Sequence, residues 1–190
     1  MTVVALMLAA GASLRFGSDK RVARLADGRG LLAASVARAQ AQFGEVWLVL
    51  REEDDPQAFD LPPGVHVLHC AESAAGMGHS LAAGMRALRE VPGEAVAVLL
   101  GDMPWVAPAS LQALRAEAAA ERIVFPLYRG ERGHPVLFGR QFWSELESLQ
   151  GDQGARAVLA AHPQACIGVA LDDPGVLRDV DEPAALIEQS

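Results

Sequence analysis

Four short runs rich in Val, Leu and Ala, at residues 3–8, 46–50, 65–68 and 95–100, are each bounded by glycine, proline or charge, and three stretches of helical period separate or follow them at 31–43, 80–90 and 108–121. Runs this short and this uniformly apolar are strands buried on both faces. Pro108 stands where a first helical turn tolerates a missing N–H. A strand–helix alternation of this kind requires a parallel sheet with helices on both sides, and right-handed crossovers restrict it to a doubly wound arrangement. The second half is less regular. It predicts a strand at 123–127, another in "GHPVLFG", a helix at 141–150, a loop "GDQGAR" feeding a further helix, and a late strand at 165–170. The expected fold is α/β, a doubly wound, mostly parallel sheet of Rossmann-like type, with residues 1–190 as one domain.

Composition narrows the function. The chain is 51% hydrophobic and 21% charged, which is globular rather than disordered. No apolar segment is long enough to span a bilayer, so a membrane role is not expected. The apolar run at 3–8 followed by small residues mimics a secretory signal, but it is short and no Lys or Arg precedes it, which argues against one. A net charge of −8 repels the phosphate backbone and excludes a general nucleic-acid binder. Cys70 and Cys166 lack the spacing of a zinc or redox pair and are expected to be small buried residues in a reducing cytoplasm. The acidic "REEDDPQAFDLPPG" is expected to be a solvated loop without catalytic duty.

In open α/β sheets ligands bind beyond the carboxyl ends of the strands. Four such places carry chemistry. After the first strand, "LAAGASLRFGSDK" joins a turn at Gly11 to small residues that let a ligand approach the backbone, whose amides form an anion-holding nest, while Arg15 and Lys20 add positive charge. The alternative is an ordinary strand-to-loop turn with surface cations. After the fourth strand, "GDMPWV" fixes Asp102 at a strand end, where it suits Mg²⁺, an ion that takes few protein carboxylates and leaves positions for phosphate oxygens; a plain strand-end turn is the competing reading. In "AESAAGMGHSLAAG", Gly76 and Gly78 precede a helix and are expected to press backbone against a base and read its edge, with His79 either at a ligand or simply solvated. In "LRDVDEP", Asp179 and Asp181 alternate, so an extended segment would turn both to one face near Asp102; otherwise they form a charged turn before a terminal helix at Pro183.

Taken together, "LAAGASLRFGSDK", "GMGHSLAAG", "GDMPWV", "RGHPVLFGR", "GDQGAR" and "DVDEP" resemble the MobA-like NTP-transferase family, and within it the molybdenum cofactor cytidylyltransferases, whose "LAAG" form Ala10 matches. The resemblance spans nearly the whole chain. It implies a nucleotide wrapped by Leu8, Ala9, Ala10, Gly11, Ala12 and Ser13 and flanked by Gly76, Met77, Gly78 and Ser80. Lys20 and Arg15 would neutralise its phosphates, and Mg²⁺ would sit on Asp102 with Asp181, or failing that Asp179, as second ligand. Arg132, His134 and Arg156 would bind the acceptor. The implied reaction is attack of a molybdopterin phosphate on the α-phosphorus of CTP with release of pyrophosphate, the product passing to a molybdenum hydroxylase. The alternatives are an enzyme of the same fold using a sugar or polyol phosphate, and a non-catalytic carrier of the finished cofactor. One departure stands out: Cys70 occupies the place where family members often carry Asn.

Overall fold

A computed structural model describes residues 1–11 and 16–186 of the chain. Its core is one eight-stranded sheet. Strands β1 (Val3–Leu8), β2 (Val46–Arg51), β3 (Val65–Cys70) and β4 (Ala95–Leu100) are all parallel and stand in the order β3-β2-β1-β4. Strands β5 (Ile123–Tyr128), β6 (Glu131–Arg132), β7 (Val136–Gly139) and β8 (Cys166–Ala170) complete the sheet. β7 inserts antiparallel between β4 and β5, while β8 pairs parallel to β5. The expectation of a mostly parallel α/β sheet holds, and the second half supplies its two antiparallel members, β6 and β7.

The uniform apolarity of β1 has a direct cause. Val4, Leu6 and Leu8 pack on one face with Leu81 and Met85 of helix α2 (Met77–Ala87), Trp143 and Leu146 of α4 (Trp143–Glu147) and Val158 of α5 (Arg156–Ala161). Val3, Ala5 and Met7 face the other way, onto Leu32, Val36 and Ala39 of α1 (Leu31–Phe43) and Leu114 of α3 (Pro108–Glu117). Both faces are dry, so the alternation that marks a half-exposed strand is absent.

Element ends differ from the sequence expectation where tertiary contacts take over. α2 starts at Met77 rather than at 80, because Gly76 (φ 125°) breaks the chain into the helix and the Gly78 N–H finds an acceptor outside it, the Gly151 carbonyl at 2.8 Å. α3 ends at Glu117 as Ala118 turns extended to feed β5. The helix expected at 141–150 divides into a 3₁₀ turn, Arg140–Phe142, and the short α4. Its last turn stops at Ser148, whose hydroxyl donates back to the Ser144 carbonyl at 3.0 Å. Cys70 is buried as expected, but Cys166 is only half-buried.

The acidic loop after β2 is not merely solvated. Asp54 is half-buried and turns its carboxylate inward onto Arg21, itself 5% exposed, through a two-pronged contact at 2.5 and 2.7 Å. Arg21 also donates to Asp19 (2.6 and 2.8 Å) and to the Ala9 carbonyl (2.8 Å), and it lies 4.7 Å above the Phe59 ring. The planar guanidinium, with five donors in a fixed fork, is the one side chain able to tie these three oxygen groups together. A solvated loop was expected because burial of one carboxylate cannot be read from an acidic run.

Removing Asp54 takes two charge-assisted hydrogen bonds from the buried Arg21 and leaves it Asp19 and the Ala9 carbonyl, a loss of about 1.5–3 kcal/mol. Asp54→Asn should lower unfolding free energy by that order in a denaturant titration. The pair also shapes acid stability. Hydrogen bonding to Arg21 holds the Asp19 carboxyl below its ordinary 3.8; for Asp54, burial opposes the charge but Arg21 and the Arg51 N–H more than offset it. The network's stabilisation is therefore complete above the ordinary aspartate value and lost as the pH falls below it through the depressed folded values. Asp54→Asn should flatten this acid limb relative to wild type; an unchanged limb would remove the network from the account.

Candidate active site

The register of β1 against β4 sets Leu8 opposite Leu100, so the residues after both strands emerge side by side. Gly101 donates to the Leu8 carbonyl at 3.0 Å, and a Cβ there would stand 2.8 Å from Leu32 and 3.0 Å from Ala9. Only glycine allows this approach, and it places Asp102 at the mouth of a cleft of about 520 Å³. The cleft is lined by Leu8, Ala9, Ala10, Gly11, Lys20 and Asp102 on one side, and by Gly76, Met77 and Ser80 on the other. Ala12, Ser13 and Arg15 lie outside the described residues.

The acids at the end of the chain reach Asp102 without a strand. Asp173, buried, accepts hydrogen bonds from the Ala107 N–H (2.8 Å), the Ser110 hydroxyl (2.6 Å) and the Gly175 N–H (2.8 Å), which pins the segment to the start of α3. The Val176 carbonyl accepts from the His134 N–H at 2.8 Å, and the Val180 N–H donates to the Asp102 carbonyl at 3.0 Å. Val180 is fully buried beside Leu25, Leu31 and Ala34, and Asp179 and Asp181 flank it. Asp102, Asp179 and Asp181 each offer a carboxylate oxygen, all within 4.8 Å of one another. Asp179 and Asp181 meet Asp102 on one side of Val180, as their alternation predicts, although no strand forms there, and Pro183–Leu186 is a 3₁₀ turn.

Lys20 joins this cluster, with its Nζ 2.8 Å from Asp102 Oδ2 and 3.1 Å from Asp181 Oδ1. Burial opposes its charge, but Asp102 and Asp181 more than offset that and hold its pKa above the ordinary lysine value. Burial, then the charges of Asp181 and Asp102, push Asp179 above the usual carboxylate range. Among the described residues, Asp102 Oδ1 is buried without a hydrogen-bond partner.

A second cleft of about 820 Å³ adjoins the first, and Leu8, Met77, Leu100 and Asp152 line both. Arg132, His134 and Arg156 border this second cleft, over a floor that includes Phe125, Phe138 and Leu159. Burial pushes His134 below the ordinary histidine value, with the Asp102 charge opposing, so the imidazole is neutral at pH 7. Cys166, expected to be a core residue, lines this cleft, and burial pushes its thiol up.

Two expectations change in detail. The Gly76 N–H donates to the Ser73 carbonyl and the Gly78 N–H to Gly151, so these two amides are engaged within the protein rather than presented to a base. Both glycines are there for packing: a Cβ on Gly76 would stand 2.3 Å from the Asp152 carboxylate, and one on Gly78 2.7 Å from the Gln150 carbonyl. His79 serves the same junction, its Nδ1 accepting from the Gly151 N–H at 3.2 Å. Arg51, Glu53, Ala71 and Ser73 complete the wall of the first cleft and were not singled out from sequence. They stand at or just after the ends of β2 and β3, which is the positional signal that marks ligand-binding residues in such sheets. Cys70 borders neither cleft and packs in the core.

Comparison with known proteins agrees with this fold. The purine catabolism protein PucB of Bacillus subtilis (strain 168) is 29% identical over 194 residues, covering 95% of this chain and 92% of that protein. The crystal structure of Rv0371c from Mycobacterium tuberculosis H37Rv superposes with a TM-score of 0.81 at 29% identity, over 97% of this chain and 95% of that one. The same protein in complex with manganese gives 0.80 at 26% identity, over the full length of both chains. Residues 5–166, which carry both clefts' strand-end loops and Asp102, match the MobA-like NTP transferase domain, and the chain belongs to that nucleotidyltransferase family.

Proposed function

We propose that the chain joins CMP from CTP to the phosphate of molybdopterin, releasing pyrophosphate, with Mg²⁺ as the working cation and a molybdenum hydroxylase as recipient of the product. The observation that carries this reading is the pair of clefts sharing a wall beside one carboxylate cluster. The first-half loops supply the nucleotide cleft and the second-half loops the acceptor cleft.

The residues at the cluster fit a divalent ion. All donors are carboxylate oxygens, the set that hard ions such as Mg²⁺ and Mn²⁺ prefer, and Asp102 Oδ1 is a buried acceptor in need of a partner. The manganese in the similar Rv0371c structure supports the same assignment. Asp102 and Asp181 would hold the ion, with Asp179 beside them. When bound, it supplies charge neutralisation at the phosphate oxygens of the nucleotide.

The chain's own residues do the rest by placement. Ala9, Ala10 and Gly11 shape the floor under the nucleotide, and the Arg21 network keeps the Ala9 carbonyl fixed. Lys20 offers its ammonium to the triphosphate. Arg132 and Arg156 attract the acceptor phosphate, and His134, neutral, offers hydrogen bonding without adding charge. An acceptor phosphate oxygen forms the new bond to the α-phosphorus as the bond to pyrophosphate breaks, and pyrophosphate leaves with the electron pair. A phosphate monoester is already largely anionic near pH 7, so no protein nucleophile is required. Positioning and charge neutralisation suffice.

Pyrophosphate release with molybdopterin and each of the four NTPs tests the whole reading. CTP with Mg²⁺ should give the highest rate. Turnover with a sugar or polyol phosphate but not with molybdopterin would move the acceptor to that class, and no release with any acceptor would make the chain a carrier. Asp102→Asn should keep the fold and lower turnover by about 10²–10³-fold, the scale of losing one charged stabiliser at a reacting phosphate. A near wild-type rate at limiting Mg²⁺ would remove Asp102 from the metal site. Ala10, buried at the cleft floor, limits how far a purine can sink. Ala10→Gly should narrow the ratio of kcat/KM for CTP over GTP without reversing it.

A further inference from the structure

Lys20 is the only lysine in the chain; every other one of the sixteen basic residues is arginine. That one ammonium stands in the carboxylate cluster, at 2.8 and 3.1 Å from oxygens of Asp102 and Asp181. Its position matters because Mg²⁺ sits about 2.0–2.1 Å from its ligand oxygens. An ion bound to those same two oxygens would lie in the space that Nζ now spans, and two cations cannot share it. Arginine would not serve here, since its planar fork is broad and cannot leave an ion-sized gap, whereas an ammonium is a compact, strongly hydrated point charge on a flexible stem.

The backbone around Lys20 is fixed. Asp19 caps the Lys20–Val22 turn by accepting from the Arg21 N–H at 3.1 Å, and the Arg21 side chain is locked beneath the first loop. A change of place by Nζ is therefore a matter of side-chain rotation and not of moving the turn. Lys20 itself lines the nucleotide cleft, so an ammonium leaving the cluster remains inside the site.

We propose that Lys20 is a built-in occupant of the cation position between Asp102 and Asp181, that a divalent ion enters by displacing it, and that the displaced ammonium is the one that meets the triphosphate. The proposal rests on reading the carboxylate cluster as the cation site. Its consequence is regulation by exchange. Without nucleotide, the ion competes with Lys20 for the same oxygens; with nucleotide, the phosphates take up the ammonium and the ion binds more tightly. Lys20 is in this sense a gate on metal loading as well as a phosphate ligand.

A single lysine makes the test direct. Protein labelled only with ¹⁵N-lysine should give one side-chain ammonium resonance, protected from water exchange in EDTA. Titration with Mg²⁺, which is diamagnetic, should move it to the position of a solvated lysine along the same curve as Mg²⁺ binding measured by calorimetry. In parallel, Lys20→Met should bind Mn²⁺, followed by electron paramagnetic resonance without nucleotide, at least about tenfold more tightly than wild type, or 1.4 kcal/mol. If Mg²⁺ saturates the wild type while the lysine resonance stays put, the exchange is wrong and the metal reading survives. Asp102→Asn abolishing that saturation confirms the survival. If the wild type binds no ion without nucleotide and Lys20→Met does, the lysine holds the site, and the exchange stands if a nucleoside triphosphate restores binding to the wild type and falls if it does not. If neither binds, both the exchange and the cation site fall. Should Lys20→Met fail to fold in EDTA, the wild-type resonance decides alone.

Discussion

The pairing of β1 with β4 is the constraint on which the site depends. Six residue pairs, from Val3 opposite Ala95 to Leu8 opposite Leu100, lock two strands whose side chains are buried on both faces. A slip of one residue would exchange the faces of every side chain on the strand, setting Leu6 against α1 and Met7 against α2. Such a slip is strongly disfavoured, so the two strand ends stay level. Level ends put the Ala9–Gly11 loop beside Gly101 and Asp102, and a cleft between a loop and a carboxylate follows from that alone.

A site that receives several phosphates must hold many charges of its own, and each is stabilised by a partner. Arg21 faces two carboxylates and a carbonyl under the first loop. Asp173 takes three donors at the start of α3, and through Val176 and Val180 it keeps the acidic strap against β4. The contrast lies with Asp102, Asp179 and Asp181, where three acids crowd together around an ammonium. Burial and mutual repulsion push Asp179 toward its neutral form. Carboxylates gathered in this way form a poor structural element and a good receptor for a more highly charged ion.

The antiparallel β7 gives the second cleft its chemistry. Because β7 runs antiparallel beside β4, His134 at its start approaches from the opposite direction to the loops after β1 and β4, while Arg132 lies in β6 on the far side of β5. The loop at Gly151–Asp152 then closes against Gly76 and Gly78, with His79 holding the Gly151 amide. The wall between the clefts is thus made from both halves of the chain. Neither half would present a shared edge without the other.

The sequence by itself determined the sheet and its loops. Strand runs buried on both faces show as unbroken Val and Leu, and the order of elements admits few topologies, so the fold and the places after each strand were legible. Asp102 and Lys20 could be named from their places after the strands, and the two late aspartates from the family resemblance. The tertiary structure decided what depends on partners distant in the chain. Nothing in "REEDDP" says that Asp54 turns inward, since the reason is Arg21, thirty-three residues earlier. Nothing in "GMGHS" says that its glycines meet Gln150 and Gly151 rather than a base. Hydrophobic periodicity is written locally, because burial of a strand face repeats along the strand. The pairing of one charge or one amide with another across the fold leaves no periodic mark, and only the packed chain shows it.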